Sequence, residues 1–135
     1  MIELPQAIIE KYNKGQDLKE VSSGGMWFGL APQDTQEPYI VYTIVSDNPV
    51  YTSTDIVGDY LVQFSLFDTN IEGVMVMFEE LEKLLNIRTL NTGENDHVIC
   101  TRENSIGPTL IDETWQVMTD YQVMIRANRT AELIE

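Results

Sequence analysis

The sequence predicts an α+β domain: a mostly antiparallel sheet of about four to five strands, with an N-terminal helix and one long amphipathic helix packed on it. Three observations lead to this prediction. Segments 39–45 and 60–67 are rich in aromatic and β-branched residues, as strands are. An apolar stripe at helical spacing follows them. A strictly alternating segment then lies near the C-terminus.

The chain opens with a predicted helix over residues 1–14. Leu4, Ile8 and Tyr12 fall on one face of it, and Gly15 is a suitable stop. We expect residues 15–25 to be irregular because Ser22-Ser23-Gly24-Gly25 marks a break. A short strand is predicted for 26–30, and a loop with two prolines for 31–38.

Strand 39–45 is apolar on both faces, which predicts a central strand covered on two sides. It can pair with 60–67 as a long hairpin. Residues 47–58, which are polar and begin Asp47-Asn48-Pro49, would then form a protruding loop. Binding residues concentrate in such loops, so this one is a candidate contact region.

Helix 71–86 is predicted from a stripe that includes Val74, Phe78 and Leu81, with Thr69 and Glu72 at the spacing of a capping box. After it we expect a short strand at 97–101 and, because of Gly107-Pro108, a loop at 105–112.

The strand predicted for 115–126 has one apolar face and one polar face. Met118 and Met124 lie on the polar face, where exposed apolar groups often mark a partner site. The whole chain of 135 residues fits one domain, and we expect residues 127–135 to form a mobile tail.

The charge excludes several classes of function. Eight Lys and Arg against 22 Asp and Glu give a net charge of −14. Nucleic acids and anionic membranes are bound largely through cationic side chains, so we expect neither as a partner. The acidic surface can serve solubility, or it can keep passing DNA from adhering, and composition does not separate the two.

The residues offer little for catalysis. His97 and Cys100 are the only histidine and the only cysteine, and in a strand this spacing points them to opposite faces. They cannot build a four-ligand zinc site, and no calcium-loop or phosphate-loop spacing occurs. We therefore predict no enzyme, no cofactor and no metal.

The segment Ala31-Pro32-Gln33, followed by Pro38-Tyr39-Ile40-Val41-Tyr42, resembles the phage tail completion or tail terminator (tail-to-head joining) family. The later features also match that family in order: a turn at 45–47, a strand at 61–68, a helix, and a late strand at 120–123. Together they cover roughly residues 24–128. Ala31, Pro32, Gln33, Pro38 and Tyr39 carry the signature, and we interpret the prolines and Gln33 as loop-shaping residues.

The resemblance implies a structural virion protein at the head-proximal end of a long phage tail, present in the host cytoplasm during assembly. Members form a ring, here expected to be a hexamer, that ends tail-tube polymerisation and docks to the head connector. A ring of this kind joins unlike faces of neighbouring subunits. The implied partners are other copies of the chain, the tail tube protein, and the head connector or stopper protein.

As contact residues for these partners we single out the predicted loop and the two methionines: Asp47, Asn48, Pro49, Tyr51, Thr52, Asp55, Ile56, Val57, Met118 and Met124. Two other classes stay open. A small α+β peptide- or ligand-binding module would show an apolar pocket with a few converging polar groups. An enzyme that uses carboxylates alone would show them gathered in a cleft with shifted pKa values.

Overall fold

The computed structural model describes residues 3–48, 50–51, 55–92 and 97–128, and it confirms the predicted α+β class. Within these residues the elements are α1 Glu3–Lys14, α2 Gln16–Val21, β1 Met26–Phe28, β2 Tyr39–Asp47, β3 Val50–Tyr51, β4 Asp55–Asp68, α3 Ile71–Leu85, β5 His97–Ile111 and β6 Thr114–Asn128. The strands form one sheet in the order β1-β2-β4-β6-β5, and the two-residue β3 pairs with β4 beyond the end of β2.

All strand pairs are antiparallel except β1 with β2. The predicted hairpin of β2 and β4 is confirmed, with Tyr39 opposite Phe67 at one end and Asp47 opposite Tyr60 at the other. β4 pairs with β6 over its full length, from Asp55 opposite Asn128 to Asp68 opposite Trp115. β2, β4, β5 and β6 are longer than predicted because hydrogen-bonded pairing continues past the apolar segments that the sequence marks. β1 is shorter, since it ends at Phe28 and the prediction extended to residue 30.

The helices pack on one face of the sheet and close the core there. α3 lies against β4, β5 and β6, and α1 contacts β1. The Tyr42 hydroxyl donates to the Pro5 carbonyl oxygen at 2.9 Å and so ties the sheet to α1. The rings of Tyr42 and Phe64 stack with centroids 5.7 Å apart, and Tyr121 meets Phe64 edge-on at 5.6 Å.

α3 begins differently from the prediction. Its N-cap is Asn70, whose Oδ1 accepts from the Glu72 backbone N–H at 2.8 Å, so the capping box of Thr69 and Glu72 does not form. Asp68 Oδ1 accepts from the Asn70 N–H at 3.3 Å, and this contact holds the chain where the helix cap is Asn70 and not Thr69. On the face of α3 that packs on the sheet Met77 is fully buried, whereas Ile71 in the first turn of the helix is 40% exposed.

The segment predicted as irregular contains the six-residue helix α2. It is too short to show a helical period in sequence. Tertiary contacts hold it instead: Leu18 is buried, its carbonyl oxygen accepts from the Ser22 hydroxyl at 2.6 Å, and the Tyr12 hydroxyl lies 2.8 Å from the same Ser22 oxygen.

The loop predicted for 105–112 is wrong, because these residues continue β5 to Ile111. Proline is acceptable in an edge strand at a bulge, where its missing N–H breaks no pairing. Here the register shifts by one residue between Ile106 and Thr109, and Gly107 has a φ of 107°.

The coverage predicted for both faces of β2 is also wrong. Ile40 and Tyr42 are fully buried under the helices, but Val41 and Thr43 on the other face are only half-buried. Residues 50–51 and 55–58 of the predicted loop belong to strands, and Ala127 and Asn128 of the predicted tail belong to β6. The rest of that tail lies outside the described residues.

Candidate interaction surface

The face of the sheet opposite the helices, here called the open face, has no helical layer over it in the described structure. One row across it runs from Val41 through Ser65 and Met118 to Ile106, each opposite the next. The predicted alternation of 115–126 is confirmed, since Val117, Thr119, Tyr121 and Val123 are buried on the helix side. Met118 therefore lies half-buried on the open face, as predicted.

A cleft of about 360 Å³ lies where the loop after β1 borders the open face. Its apolar walls come from Leu30, Pro32, Tyr39, Val41 and Phe67, and its polar groups from Asp34, Thr35 and Ser65. The Tyr39 and Phe67 rings stack with their centroids 4.9 Å apart. Leu30 is 84% exposed, so the cleft presents an apolar side chain directly to solvent.

Backbone hydrogen bonds hold the loop of the cleft in place. The Gly24 N–H donates to the Pro38 carbonyl oxygen at 2.7 Å, and the Ile40 N–H donates to the Gly25 oxygen at 2.9 Å. A Cβ at Gly24 would overlap the carbonyl oxygen of Gln36, so the two backbone segments approach as closely as glycine allows. The close packing of these two backbone segments therefore holds the cleft in a fixed shape.

The residues that carry the family resemblance gather at this cleft. Ala31, Pro32 and Tyr39 line it, and the Pro38 carbonyl oxygen anchors the loop behind it. Pro32 shapes the loop by accepting from both the N–H and the hydroxyl of Thr35, at 3.2 and 2.6 Å. Gln33 is exposed on the loop and is not among the lining residues.

A second apolar surface, which we call the β5 ridge, consists of Ile106, Leu110 and Ile111 on the outer strand of the sheet. These side chains are 56%, 54% and 51% exposed. They lie in a continuous exposed run, 102–113, that includes the turn to β6. By register Ile106 and Ile111 lie on the open face and Leu110 on the helix side. Sequence reasoning missed this ridge because Gly107-Pro108 was taken as loop.

The backbone of β5 is covered over only part of its length. Near Cys100 the outer edge is paired, since the Ile87 N–H donates to the Cys100 oxygen at 2.7 Å and the Cys100 N–H to the Arg88 oxygen at 2.8 Å. From Asn104 to Ile111 no strand of the described chain pairs with the outer edge. Pro108 and the bulge beside it disfavour addition of another strand there, so contacts at the ridge would run through side chains.

The described part of the predicted contact region, residues 47–48, 50–51 and 55–58, lies at the other end of the sheet, near the Asn128 end of β6. Asp47 and Asn48 are exposed, and the Asn48 N–H donates to the Asp59 oxygen at 2.8 Å. Pro49 and Thr52, with the side chains of Tyr51, Asp55, Ile56 and Val57, lie outside the described residues. Met124 is exposed near this end, opposite the exposed Ile99.

A smaller charged cleft of about 290 Å³ lies beside the end of α3, among Glu79, Glu82, Lys83, Asn86 and Arg88. Two of its four charged residues, Glu82 and Lys83, form ion pairs within the chain. The Lys83 Nζ lies 3.2 Å from Glu80 Oε1, and the Arg102 Nε lies 3.4 Å from Glu82 Oε1 with its guanidinium 5.5 Å from the Phe78 ring centroid. We interpret this region as a solvated helix face.

The ionisable groups with shifted pKa values lie in the core. Burial raises the pKa of the Cys100 thiol to about 12, and burial also raises the pKa of Tyr42 to about 12. A thiol held neutral in this way is a poor nucleophile at neutral pH. The side chain of His97 is outside the described part of the chain, and the described residues contain no cluster of His, Cys, Asp and Glu that could hold a metal ion. None of the described helices is long and apolar enough to cross a membrane.

No family model matches this sequence, and no curated protein matches it. Solved structures do resemble it. One is a chain of the virion of native gene transfer agent (GTA) particle, which superposes with a TM-score of 0.69 at 8% sequence identity. The match covers 92% of this chain and 95% of the other. At this identity the likeness shows a shared fold.

Proposed function

We propose that this protein is a structural virion protein of a long-tailed phage or prophage, acting at the head-proximal end of the tail. In that role copies of the chain form a ring that ends polymerisation of the tail tube and prepares it to dock to the head connector. The observation that carries the proposal is the match in fold, over nearly the full length of both chains, to a chain of the gene transfer agent virion.

Two further observations support this assignment. Three of the five residues of the family signature, Ala31, Pro32 and Tyr39, line one cleft, so part of the resemblance lies in one structural feature. The net charge of −14 suits a passage through which DNA must slide without adhering. The acidic charge is expected of a ring on the axis of a tail.

Electron microscopy of negatively stained lysates from a phage or prophage that lacks the gene tests the proposal. Overlong tails of uneven length without attached heads are the expected result, and a plasmid copy of the gene should restore normal particles. Tails of normal length beside separate filled heads would assign the protein to joining and not to termination. Intact particles with normal infectivity would refute a virion role.

The end of the sheet around 47–58 is a proposed contact to the tail tube or the connector. Asp47 and Asn48 are exposed there, at the end opposite the cleft. Replacing both with lysine should leave the chain folded but prevent tail capping in the complementation assay. Glu20→Lys, an exposed charge reversal on α2, is the matched control and should complement fully.

A peptide- or ligand-binding module is the second candidate, because the cleft combines apolar walls with Asp34, Thr35 and Ser65. This function would not require the ridge. It predicts that a small ligand binds in the cleft of the monomer. A virion role predicts instead that substitutions in the cleft change particle assembly.

A further inference from the structure

The polar side chains that line the cleft are better suited to accept hydrogen bonds than to donate them. The Thr35 hydroxyl gives its proton to the Pro32 carbonyl oxygen at 2.6 Å, so it can only accept from a bound group. Asp34 contributes a carboxylate, which accepts only, and Ser65 contributes a hydroxyl. A group that binds in the cleft is therefore expected to supply hydrogen-bond donors.

The charge at this end of the sheet is negative. Asp34 lines the cleft, and Glu37 follows on the same loop. The Thr114 hydroxyl donates to Glu37 Oε1 at 2.8 Å and so brings the acidic turn 112–113 to the side of this loop. A cationic partner would be attracted here, and an anionic one would be repelled.

The cations of the chain lie away from the cleft. Segments 26–41, 63–68 and 103–118, which build the cleft and its surroundings, contain no lysine and no arginine. The described cations are on the first two helices, beside the end of α3 and near the far end of β6: Lys11, Lys14, Lys19, Lys83, Arg88, Arg102 and Arg126. A partner that complements the acidic groups at the cleft therefore carries positive charge.

The aromatic and apolar walls of the cleft add a further requirement. The Tyr39 and Phe67 rings are stacked at an interplanar angle of 23° and are both half-buried, so part of their surface reaches solvent. A guanidinium is planar, carries five donors and stacks on aromatic rings, whereas the lysine ammonium is compact and strongly hydrated. The aliphatic stem of an arginine can lie against Leu30 and Pro32 while its head reaches Asp34. An arginine side chain therefore matches the acceptors, the charge and the walls together.

The cleft is open, which suits a side chain of a protein better than an enclosed small molecule. Its volume of about 360 Å³ is near the lower limit of ligand pockets, and Leu30 at its rim is 84% exposed. The adjoining open face has no helix of the described residues over it. A segment of another protein can therefore cross the sheet and insert side chains into the cleft.

We propose that the cleft binds an arginine side chain carried on an apolar segment of another virion protein. The guanidinium lies beside Asp34 and over the pair of Tyr39 and Phe67, and the apolar residues that flank it contact Leu30. The inference deepens the proposed function, on which it rests for the class of partner, by naming the chemistry through which the chain recognises its neighbour at the end of the tail.

An NMR titration of the isotopically labelled chain with short blocked peptides tests the recognition. The probe is a pentapeptide with arginine between two leucines, and the matched controls carry lysine or citrulline, the neutral isostere, in place of the arginine. We expect the amide signals of residues 30–35 and of Ser65 to shift. The arginine peptide should bind about three- to fivefold more tightly than the citrulline peptide, as for one exposed ion pair, and this preference should decrease as salt is added.

Two variants separate the charge from the apolar contact. Asp34→Asn removes the carboxylate but keeps the fold, since asparagine tolerates the φ of 68° that Asp34 adopts, and it should remove most of the preference for arginine over citrulline. Leu30→Lys places a cation on the rim and should weaken binding of the arginine peptide by about tenfold. Asp17→Asn, the same change at an exposed site on α2, is the control and should bind as the wild type does.

Three results would overturn the proposal. Equal binding of the arginine and citrulline peptides to the wild type would make the cleft a site for apolar side chains only. Equal binding of the lysine peptide would remove the specificity for a guanidinium. Absence of binding by any peptide would also refute it, and cleft signals that then shift with protein concentration would identify the occupant as a second copy of the chain.

Complementation separates this inference from the proposed function. If the gene is needed for normal tails and Leu30→Lys complements fully, the virion role stands and the cleft is not the contact to the partner. If deletion of the gene has no effect on particles, the virion role fails, and the named class of partner fails with it even where the titration shows a preference for arginine. Defective tails with Leu30→Lys, but not with the exposed control Glu20→Lys, support both.

Discussion

The two faces of the sheet differ in what completes them. On the helix side Ile40, Phe64 and Tyr121 are at most 1% exposed because α1 and α3 supply the second layer. On the open face Val41, Met118 and Phe67 are only half-buried, and no helix of the described residues packs over them. The first face is covered by helices of the same chain. The second retains apolar surface, including a cleft, that no helix of the described residues covers.

The strongest test of this contrast uses two phenylalanines of β4 that point to opposite faces. Phe64→Ala removes a fully buried ring and should lower the free energy of unfolding by about 3–5 kcal/mol. Phe67→Ala removes a half-buried ring at the cleft and should cost the monomer about 1–2 kcal/mol. Chemical denaturation of both variants measures the difference. Equal losses would mean that the open face is as much a part of the core as the helix side.

The loop of the cleft offers a second comparison, between two glycines. Gly24→Ala would force its Cβ against the Gln36 and Pro38 carbonyl oxygens and should cost about 2–3 kcal/mol. Gly29 has a φ of 80° but open space around it, so Gly29→Ala should cost only about 1 kcal/mol of backbone strain. Thermal unfolding of the two variants gives the order, and a larger loss at Gly29 would contradict the close approach at Gly24.

Alkaline pH should lower the stability of the fold through ionisable groups buried on the helix side. In the unfolded chain Cys100 ionises near its ordinary pKa of 9.0 and Tyr42 near 10.0, whereas burial holds both neutral up to about 12. Their contribution is therefore complete below pH 9 and is lost as pH rises towards 12. We expect a loss of roughly 2 kcal/mol in unfolding free energy between pH 8 and pH 10.

Urea denaturation over this pH range measures the loss, with Cys100→Ala as the comparison. That variant removes the thiol's share of the titration, so its stability should fall less steeply with pH. An identical slope in the two proteins would show that the thiol ionises equally in the folded and unfolded chains.

The smallest expected effect is at the hairpin turn beside the ridge. Asp112 and Glu113 have φ values of 49° and 67°, a conformation that a tight hairpin turn requires and that Asn-Gly adopts more readily. Replacing the pair with Asn-Gly should raise the unfolding free energy by about 0.5–1 kcal/mol. Denaturation of the double variant tests this, and a decrease in stability would indicate that the two side chains make contacts that outweigh the strain.

Much of the fold was readable from local pattern. Three segments have patterns that predict their own secondary structure: the aromatic and β-branched residues of β2, the apolar stripe of α3 and the alternation of β6. Side chains that are buried at regular intervals require apolar residues at the same intervals in the sequence. The same reasoning correctly placed Met118 on the face away from the helices. It failed for α2, which is shorter than any period, and for β5, where Gly107-Pro108 marks a bulge inside an edge strand.

The candidate site was predictable only in part. The apolar second face of β2 indicated surface to be covered, but the sequence could not say whether a helix of this chain or another molecule covers it. The cleft exists because Gly24 lets residues 36–38 approach the start of β1, and the ridge exists because β5 is the outer strand. Both depend on which distant segments meet.

The fold class, the acidic character and the positions of the most regular elements can be read from the amino-acid sequence alone, since they follow from composition and from periods of two and 3.6 residues. Strand order and the unequal coverage of the two faces of the sheet emerge only when the chain is folded. Local periods in the sequence show which side of a helix or strand is buried, whereas strand order depends on pairing between residues far apart in the chain.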